Sequence, residues 1–392
     1  MVITYLSSST IPSRTANSVH VMKMCQAFAN LGHQVYLIAP QKPDKESLGD
    51  TENVFSFYGV DENFEVIEIP WFDVKGRGHI YGYLAARRAK KYKPDLIYGR
   101  NVAGCFFASF RDTPVIFETH TPVKSLGWLT DWQLKKRLNK FKRIVSISSA
   151  LKQYYVDVYG INETSIFVAH DGADPWNYPK LNDKSKNKGK YELTVGYIGQ
   201  LYPGKGMEII LPLAERCTWA EFNVIGGTED DIEYWKNMAI DIPNICFHGF
   251  VTQKQLPVYQ TIMDVFLAPY QKTVYGAQAG NKNRTKKLNI SQWMSPLKIF
   301  EYMSCGKPII CSNLPVLREI LIDGETAILC EPNHLDDWIS ALESLRTDHN
   351  YRDMLGENAK NTFLEKHTWL SRAEQILLNC FSENILKEKK EH

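Results

Sequence analysis

The sequence predicts an α/β protein made of two similar halves, each a mostly parallel sheet with helices on both faces. Three observations lead there. At 392 residues the chain exceeds the roughly 250–300 that one hydrophobic core serves, so two domains are expected. Short apolar strands alternate with helical patterns through both halves. Between the halves, Pro179–Lys190 reads PKLNDKSKNKGK and holds almost nothing apolar, as a linker or exposed connection does. The expected domains span 1–178 and 191–370. With 44% hydrophobic and 23% charged residues, the composition excludes a disordered, collagen-like or polytopic membrane chain.

Each element has its own signal. Val2–Leu6 is apolar, has no basic flank and turns polar at Ser7, so it reads as a first strand and not as a signal peptide. Ser18–Asn30 spaces Val19, Met22, Cys25, Ala27 and Phe28 helically, and Gly32 stops it. Strands are then expected at Val35–Ala39, Phe64–Ile69, Leu96–Tyr98, Val115–Phe117, Arg143–Ile147 and Ile166–Val168. The second half repeats the alternation with Leu193–Ile198, Glu221–Ile225, Ile245–Phe247, Val265–Ala268, Pro308–Cys311 and Ala327–Leu329. Gly276–Gln292 is polar and basic and reads as a long mobile loop, while Leu370–Leu386 is helical by pattern. No apolar run reaches the ~18–20 residues of a membrane span. The 8 cysteines are scattered without a C-x-x-C pair, which points to a reducing compartment with neither a disulfide frame nor a zinc site.

Two segments carry chemistry. The first is Gly199-Gln200-Leu201-Tyr202-Pro203-Gly204-Lys205-Gly206, between a strand and a helix expected near Met207. A glycine-rich turn of this kind bares backbone N–H groups that suit a phosphate, and Lys205 adds a point charge. Its spacing fits neither common nucleotide-loop motif, and a plain strand-to-helix turn has the same pattern. The second segment runs from Ser295 to Ile310, SPLKIFEYMSCGKPII. Ser295 is expected to cap a helix with Pro296 at its first position. Lys298 and Glu301, three apart, then share one helix end. There a diphosphate would meet Lys298 and vicinal ribose hydroxyls would meet Glu301. A surface i,i+3 ion pair is the simpler alternative.

These motifs, in this order, resemble those of the retaining, nucleotide-sugar-dependent glycosyltransferases of family GT4, which have the GT-B fold. Glu301–Pro308 looks like the family's E-A-M-A-x-G-x-P block, and Gly199–Gly206 like its G-R-L-x-x-x-K-G turn. Gly226-Gly227-Thr228 matches the loop after the next strand, and Phe247–Val251 the region beside the base. Ala169–Asp174 resembles the element closing the first domain, and Phe117-Glu118-Thr119-His120 the site of the active-centre histidine. The resemblance covers nearly the whole chain. It implies two Rossmann-like domains facing a cleft, with a helix at 371–392 returning to the first domain. The first domain would hold a glycan or lipid-linked glycan acceptor. The second would hold the nucleoside diphosphate sugar, UDP- or GDP-linked.

The roles that the resemblance implies are specific. His120, Lys205 and Lys298 would be catalytic. Gly199, Gln200, Gly227, Phe250, Val251, Ser295, Pro296, Leu297 and Glu301 would bind the donor. Arg14, Asn17, Ser18 and Arg100 would line the acceptor side. A lone histidine at a strand end is as readily structural, and a surface salt bridge would also account for Arg100. No D-x-D motif occurs, so no cofactor or metal is expected, and the departing phosphate itself would take the acceptor proton with retention at the sugar. Three departures from the family pattern stand out. Trp293 replaces the earlier acid of its E-x7-E block, Gln200 its phosphate-gripping Arg, and Arg14–Ser18 its usual glycine pair.

Charge adds a membrane expectation. Residues 1–190 carry 26 Lys and Arg against 18 Asp and Glu, while the remainder carries 20 against 26. A basic first half suits an anionic partner. In the stretch 128–143, WLTDWQLKKRLNKFKR, a helix would set Leu134, Leu138 and Phe141 on a core stripe. Trp128, Trp132, Lys135, Asn139, Lys142 and Arg143 would lie opposite it. Trp beside Lys and Arg suits a helix lying on an anionic bilayer. The expectation is a cytoplasmic enzyme of cell-surface polysaccharide or glycolipid synthesis, held peripherally at the inner membrane face. A nucleotide-sugar epimerase on the same fold is one alternative. A basic nucleic-acid-binding protein is another, but it leaves Ser295–Pro308 without a purpose, so no nucleic acid is expected.

Overall fold

The computed structural model describes all residues except 44, 50, 178–189, 253–254, 276–288 and 389–392, and the side chains of 382–388. The expected linker at 179–189, most of the loop at 276–292 and the last residues of the returning tail therefore lie outside the described residues. The chain forms two compact units, Met1–Asp171 with Trp369–His392, and Gly172–Thr368. Residues 172–177 go with the second unit.

The first unit contains β1 (Val2–Leu6), α1 (Ala16–Asn30), β2 (Gln34–Gln41), α2 (Val54–Tyr58), β3 (Glu65–Pro70), α3 (Arg77–Ala89) and β4 (Leu96–Gly99). Next come α4 (Val102–Ala108), β5 (Val115–Thr119), α5 (Trp128–Arg137), β6 (Arg143–Ser146), α6 (Ser149–Tyr159) and β7 (Ile166–Val168). The sheet order is β3-β2-β1-β4-β5-β6-β7, and every pairing is parallel. Parallel strands covered on both faces read as continuous apolar runs, which is why β1, β4 and β5 are buried almost throughout. The winding direction reverses between β1 and β4, the place where doubly wound sheets bind ligands beyond their strand ends.

The second unit contains β8 (Leu193–Ile198), α7 (Met207–Arg216), β9 (Ala220–Ile225), α8 (Glu229–Met238), β10 (Ile245–Gly249), α9 (Leu256–Ile262) and β11 (Val265–Ala268). It continues through α10 (Leu297–Cys305), β12 (Ile309–Ser312), β13 (Ile328–Cys330), α11 (Leu335–Thr347) and α12 (His349–Lys366). Its sheet, β10-β9-β8-β11-β12-β13, is again wholly parallel. The last helix, α13 (Trp369–Glu388), belongs to the first unit and packs on α1.

Three local expectations change. Helix α1 begins at Ala16 and not Ser18, because the Thr15 hydroxyl caps it by accepting from the Ser18 N–H. Asn17 and Ser18 are thus in its first turn and outside a loop. Helix α10 begins at Leu297, with Pro296 as the capping residue and no side-chain cap. Ser295 lies one position too early to cap, since the extended Pro296 (ψ 122°) intervenes. The stretch 128–143 is α-helical only to Arg137, where φ of −123° leads into a 3-10 turn. That turn buries Leu138 and lets Phe141 reach Phe117, with ring centroids 5.7 Å apart.

Candidate active site

In the second unit, the turn after β8 and the start of α10 are fixed against each other. Tyr302 of α10 stacks on Phe266 of β11 at 4.3 Å, and its hydroxyl accepts from the Ile198 N–H at 2.8 Å. The Tyr197 hydroxyl donates to the carbonyls of Gln200 (2.7 Å) and Lys205 (3.1 Å), which sets the glycine turn. Two lysines converge on this place. Lys298 is 8% exposed and its Nζ has no hydrogen-bond partner; it lies 3.7 Å from the Tyr197 ring centre and 5.3 Å from that of Tyr270. Lys205 Nζ lies 5.4 Å from the same Tyr270 ring. Burial pushes the Lys205 ammonium down to about 8. Burial, then the nearby charge of Lys205, pushes Lys298 well below its usual range, against Glu301, which raises it.

Glycine makes room for this lysine. A Cβ at Gly199, whose φ is +146°, would come within 2.8 Å of Lys298 Nζ, and one at Gly226 within 2.3 Å of the Gly199 carbonyl oxygen. Gly227 is similarly closed off by Leu201. The turn bares fewer of its amides than the sequence led us to expect. Glu208 accepts from the N–H groups of Gly204 (2.7 Å) and Gly206 (3.2 Å), and the Lys205 N–H donates to the Tyr202 carbonyl. Positive charge here comes from the two ammonium groups and the uncapped start of α10. The Gln200 Oε1 is also buried without a partner. Phe250, about two-fifths exposed, and Val251 follow β10 at the sheet edge.

The first unit holds a denser cluster, and most of its members were not foreseen. Glu118 of β5 is buried, and one of its oxygens, Oε1, is shared. It lies 2.7 Å from His120 Nε2, 2.7 Å from Arg372 Nη2 and 3.0 Å from His20 Nε2. Its Oε2 accepts from the Tyr98 hydroxyl. His20 Nδ1 lies 2.9 Å from Asp171 Oδ1, and its ring meets that of His120 edge-on at 4.7 Å. Arg372 of α13 also donates to the carbonyls of His170 and Ala169. Burial would raise Glu118, but Arg372, His20 and His120 hold it well below the carboxylate range. Asp171, likewise opposed by burial, is held to about 2 by His20, His120 and Arg372.

His120 is the least covered member, with 17% of its side chain exposed. Burial and the charge of Arg100 push its imidazole down to about 4, outweighing the two carboxylates. It is therefore neutral near pH 7. An ionised carboxylate only accepts, so the Nε2–H donates to Glu118 and Nδ1 is left as the ring's acceptor. One ligand atom from each of His20, Glu118, His120 and Asp171 lies within 4.8 Å of the others. These are types a divalent metal takes, but the Arg372 guanidinium already occupies the same Glu118 oxygen.

The remaining expected acceptor residues separate. Arg14 sits 3.5 Å from Glu46 in an exposed pair. Asn17 is exposed, while Ser18 is buried and donates inward to the Ser13 carbonyl at 2.6 Å, a structural bond that takes it off the acceptor surface. Arg100 follows β4 near His120 and makes no surface salt bridge among the described residues. Sequence reasoning passed over His20, Glu118, Asp171 and Arg372. A charge inside the apolar run of β5 was the one available signal.

Comparison with known proteins agrees with this architecture. The family description "Glycosyltransferase Family 4" matches residues 18–176, and "Glycosyl transferases group 1" matches residues 180–362. A Bacillus subtilis (strain 168) protein named for teichuronic acid biosynthesis, the glycosyltransferase TuaH, is 25% identical over 208 residues, covering 52% of this chain and 45% of its own. The crystal structure of Anabaena Alr3699/HepE with UDP-glucose superposes with a TM-score of 0.69 at 15% identity, covering 97% of this chain and 100% of that one. A mutant of S. aureus TarM in complex with fondaparinux, α-GlcNAc-glycerol and UDP gives 0.69 at 10% identity, covering 97% and 99%. The matches span between 45% and 60% of the length of the first curated relatives. With two family descriptions covering most of its length and two Rossmann-like parallel sheets, the chain belongs to the GT4-type glycosyltransferases of the GT-B fold.

Proposed function

We propose that the chain transfers a sugar from a nucleoside diphosphate sugar, UDP-linked in the first instance, to an acceptor hydroxyl with retention, in cell-surface polysaccharide or glycolipid synthesis. The observation that carries this reading is Lys298: a buried ammonium with no hydrogen-bond partner, beside Lys205 and the uncapped start of α10. A buried cation is costly unless an anion meets it, and a diphosphate leaving group supplies two negative charges. The UDP and UDP-glucose complexes of HepE and the UDP complex of TarM support that choice of anion.

In this mechanism Lys205 and Lys298 stabilise the charge that grows on the diphosphate as the glycosidic bond breaks. Glu301 on the same helix holds the ribose hydroxyls, with Gly199, Gln200, Gly227, Ser295, Pro296, Leu297, Phe250 and Val251 forming the surrounding donor surface. His120, neutral and with Nδ1 unprotonated, accepts a hydrogen bond from a sugar or acceptor hydroxyl. The departing phosphate takes the acceptor proton, so neither a protein nucleophile nor a metal is assigned a step. Consumption of UDP-glucose, GDP-mannose and UDP-GlcNAc, with and without an added glycan acceptor, tests the reading. Acceptor-dependent release of nucleoside diphosphate is the expected result. Acceptor-independent interconversion of donors would instead make the chain an epimerase.

We also propose peripheral contact with an anionic bilayer through α5. Trp128 is 79% exposed and Trp132 45% exposed, close to the exposed Phe110 and Leu126 and to Lys124, Lys136 and Arg137. Among the described residues no helix is long and apolar enough to cross a membrane.

A further inference from the structure

Arg100 is placed where a ligand is expected and has nothing to bind. Its backbone N–H donates to the Leu6 carbonyl at 3.0 Å, so it extends the ladder between β4 and β1 by one residue. That is the point where the winding of the sheet reverses, beyond the carboxyl ends of the strands. Asn101 then turns the chain into α4, its Oδ1 accepting from the Gly104 N–H at 2.6 Å. The backbone is therefore held on both sides and the guanidinium is left over. Its Nη1 is buried with no hydrogen-bond partner, and among the described residues the side chain makes no hydrogen bond or ion pair.

The other arginines with a buried nitrogen differ. Arg143 donates to the Thr164 and Asn379 carbonyls, Arg346 faces Glu192 at 3.7 Å, and Arg137 lies over the Phe110 ring at 3.4 Å. Glu118 and Asp171, the carboxylates grouped with His120, already have Arg372 and His20. A buried guanidinium atom without an anion is unfavourable, and its planar fork fits two oxygens of one phosphate or carboxylate.

We propose that Arg100 is a specificity-determining residue that binds a phosphate or carboxylate group of a substrate beside His120, at the β1/β4 switch point of the first unit. The glycosyltransferase reading enters only in naming the bearer of that anion. It is an acidic acceptor, such as a uronate-containing or phosphorylated glycan.

The test uses the full chain and three variants, Arg100→Gln, Arg100→Lys and Lys298→Ala. Thermal shift and calorimetry are read with UDP, and then with inorganic phosphate or glucuronate added to UDP-saturated protein. Binding of the added anion on top of UDP, weakened roughly ten- to a hundred-fold in Arg100→Gln, retained in Lys298→Ala and partly restored in Arg100→Lys, supports an acceptor anion. No response of the UDP-saturated wild type to either added anion overturns the proposal. Unchanged responses to UDP, phosphate and glucuronate in a folded Arg100→Gln protein overturn the proposal. Should the wild type fail to bind UDP at all, the donor reading fails, while phosphate and glucuronate given alone still report on Arg100.

Discussion

Lys298 carries opposing demands on stability and function. In the unliganded chain its ammonium is buried on an aromatic face without a hydrogen-bond acceptor. Replacing it with an apolar side chain of similar length removes that desolvation. Lys298→Met should leave the unliganded melting temperature equal or higher, yet weaken nucleotide binding by roughly ten- to a hundred-fold, as losing a charge-assisted hydrogen bond does. A lower melting temperature with unchanged nucleotide affinity would mean a structural lysine. Lys205 gives the pH dependence. Its ammonium, near 8 in the free protein, must be protonated to hold a diphosphate, so the affinity that Lys205 contributes should be lost as pH rises through 8. The meeting of Lys205 and Lys298 at the Tyr270 ring was legible because each lysine lies within a short motif. Arg372 was not, since its partner Glu118 is 254 residues away and only the fold brings them together.

The first-unit cluster predicts acid sensitivity. His120 is lowered to about 4 from 6.5, so the unfolded chain takes its proton first and stability falls as pH drops below about 6.5. Asp171 is depressed from 3.8 to about 2; its contribution is complete above 3.8 and is lost as pH falls toward 2. Both act in the same direction. His120→Asn should flatten the upper part of the melting-temperature profile, between pH 6.5 and 4, and only weaken the lower part, since His20 and Arg372 still hold Asp171.

Among the elements, α13 does more than cover α1. Removing residues 371–392 takes away Arg372 and leaves Glu118 and Asp171 as buried charges short of a partner. Breaking a buried pair by removing one partner costs about 3–5 kcal/mol, so the truncated chain should melt far lower than loss of an exposed tail would cause. Arg372→Lys, which keeps the charge but loses the fork, should lie between the two. Helix α5 carries the membrane prediction. The wild type should cosediment with vesicles containing anionic lipid at low salt and be released at high salt, and Trp132→Ala with Lys135→Ala should reduce that binding. Absence of binding at low salt would leave its exposed tryptophans unexplained by a bilayer. The strands were readable in order because parallel strands are continuous apolar runs. The helix starts were misplaced where the cap was not the obvious polar residue, as at Thr15 and Pro296.

At the scale of the molecule, the family and the two-sheet architecture were both visible in the sequence, because motif order and strand–helix alternation survive where overall identity does not. The electrostatic organisation was only partly visible. The composition showed a basic first half, but not that its buried acids are matched by Arg372 and His20 while Arg100 is left over. Nor did the glycine turn announce that Glu208 would take two of its amides, which rests the proposed anion site on the lysines and the start of α10. The central claim is that the second unit binds a nucleoside diphosphate through those groups. Its most direct test is calorimetric titration of UDP into the wild-type chain and into Lys298→Ala, at pH 7. Saturable binding by the wild type, weakened roughly ten- to a hundred-fold in a folded Lys298→Ala protein, is the predicted result. Equal affinity in the two proteins would contradict it.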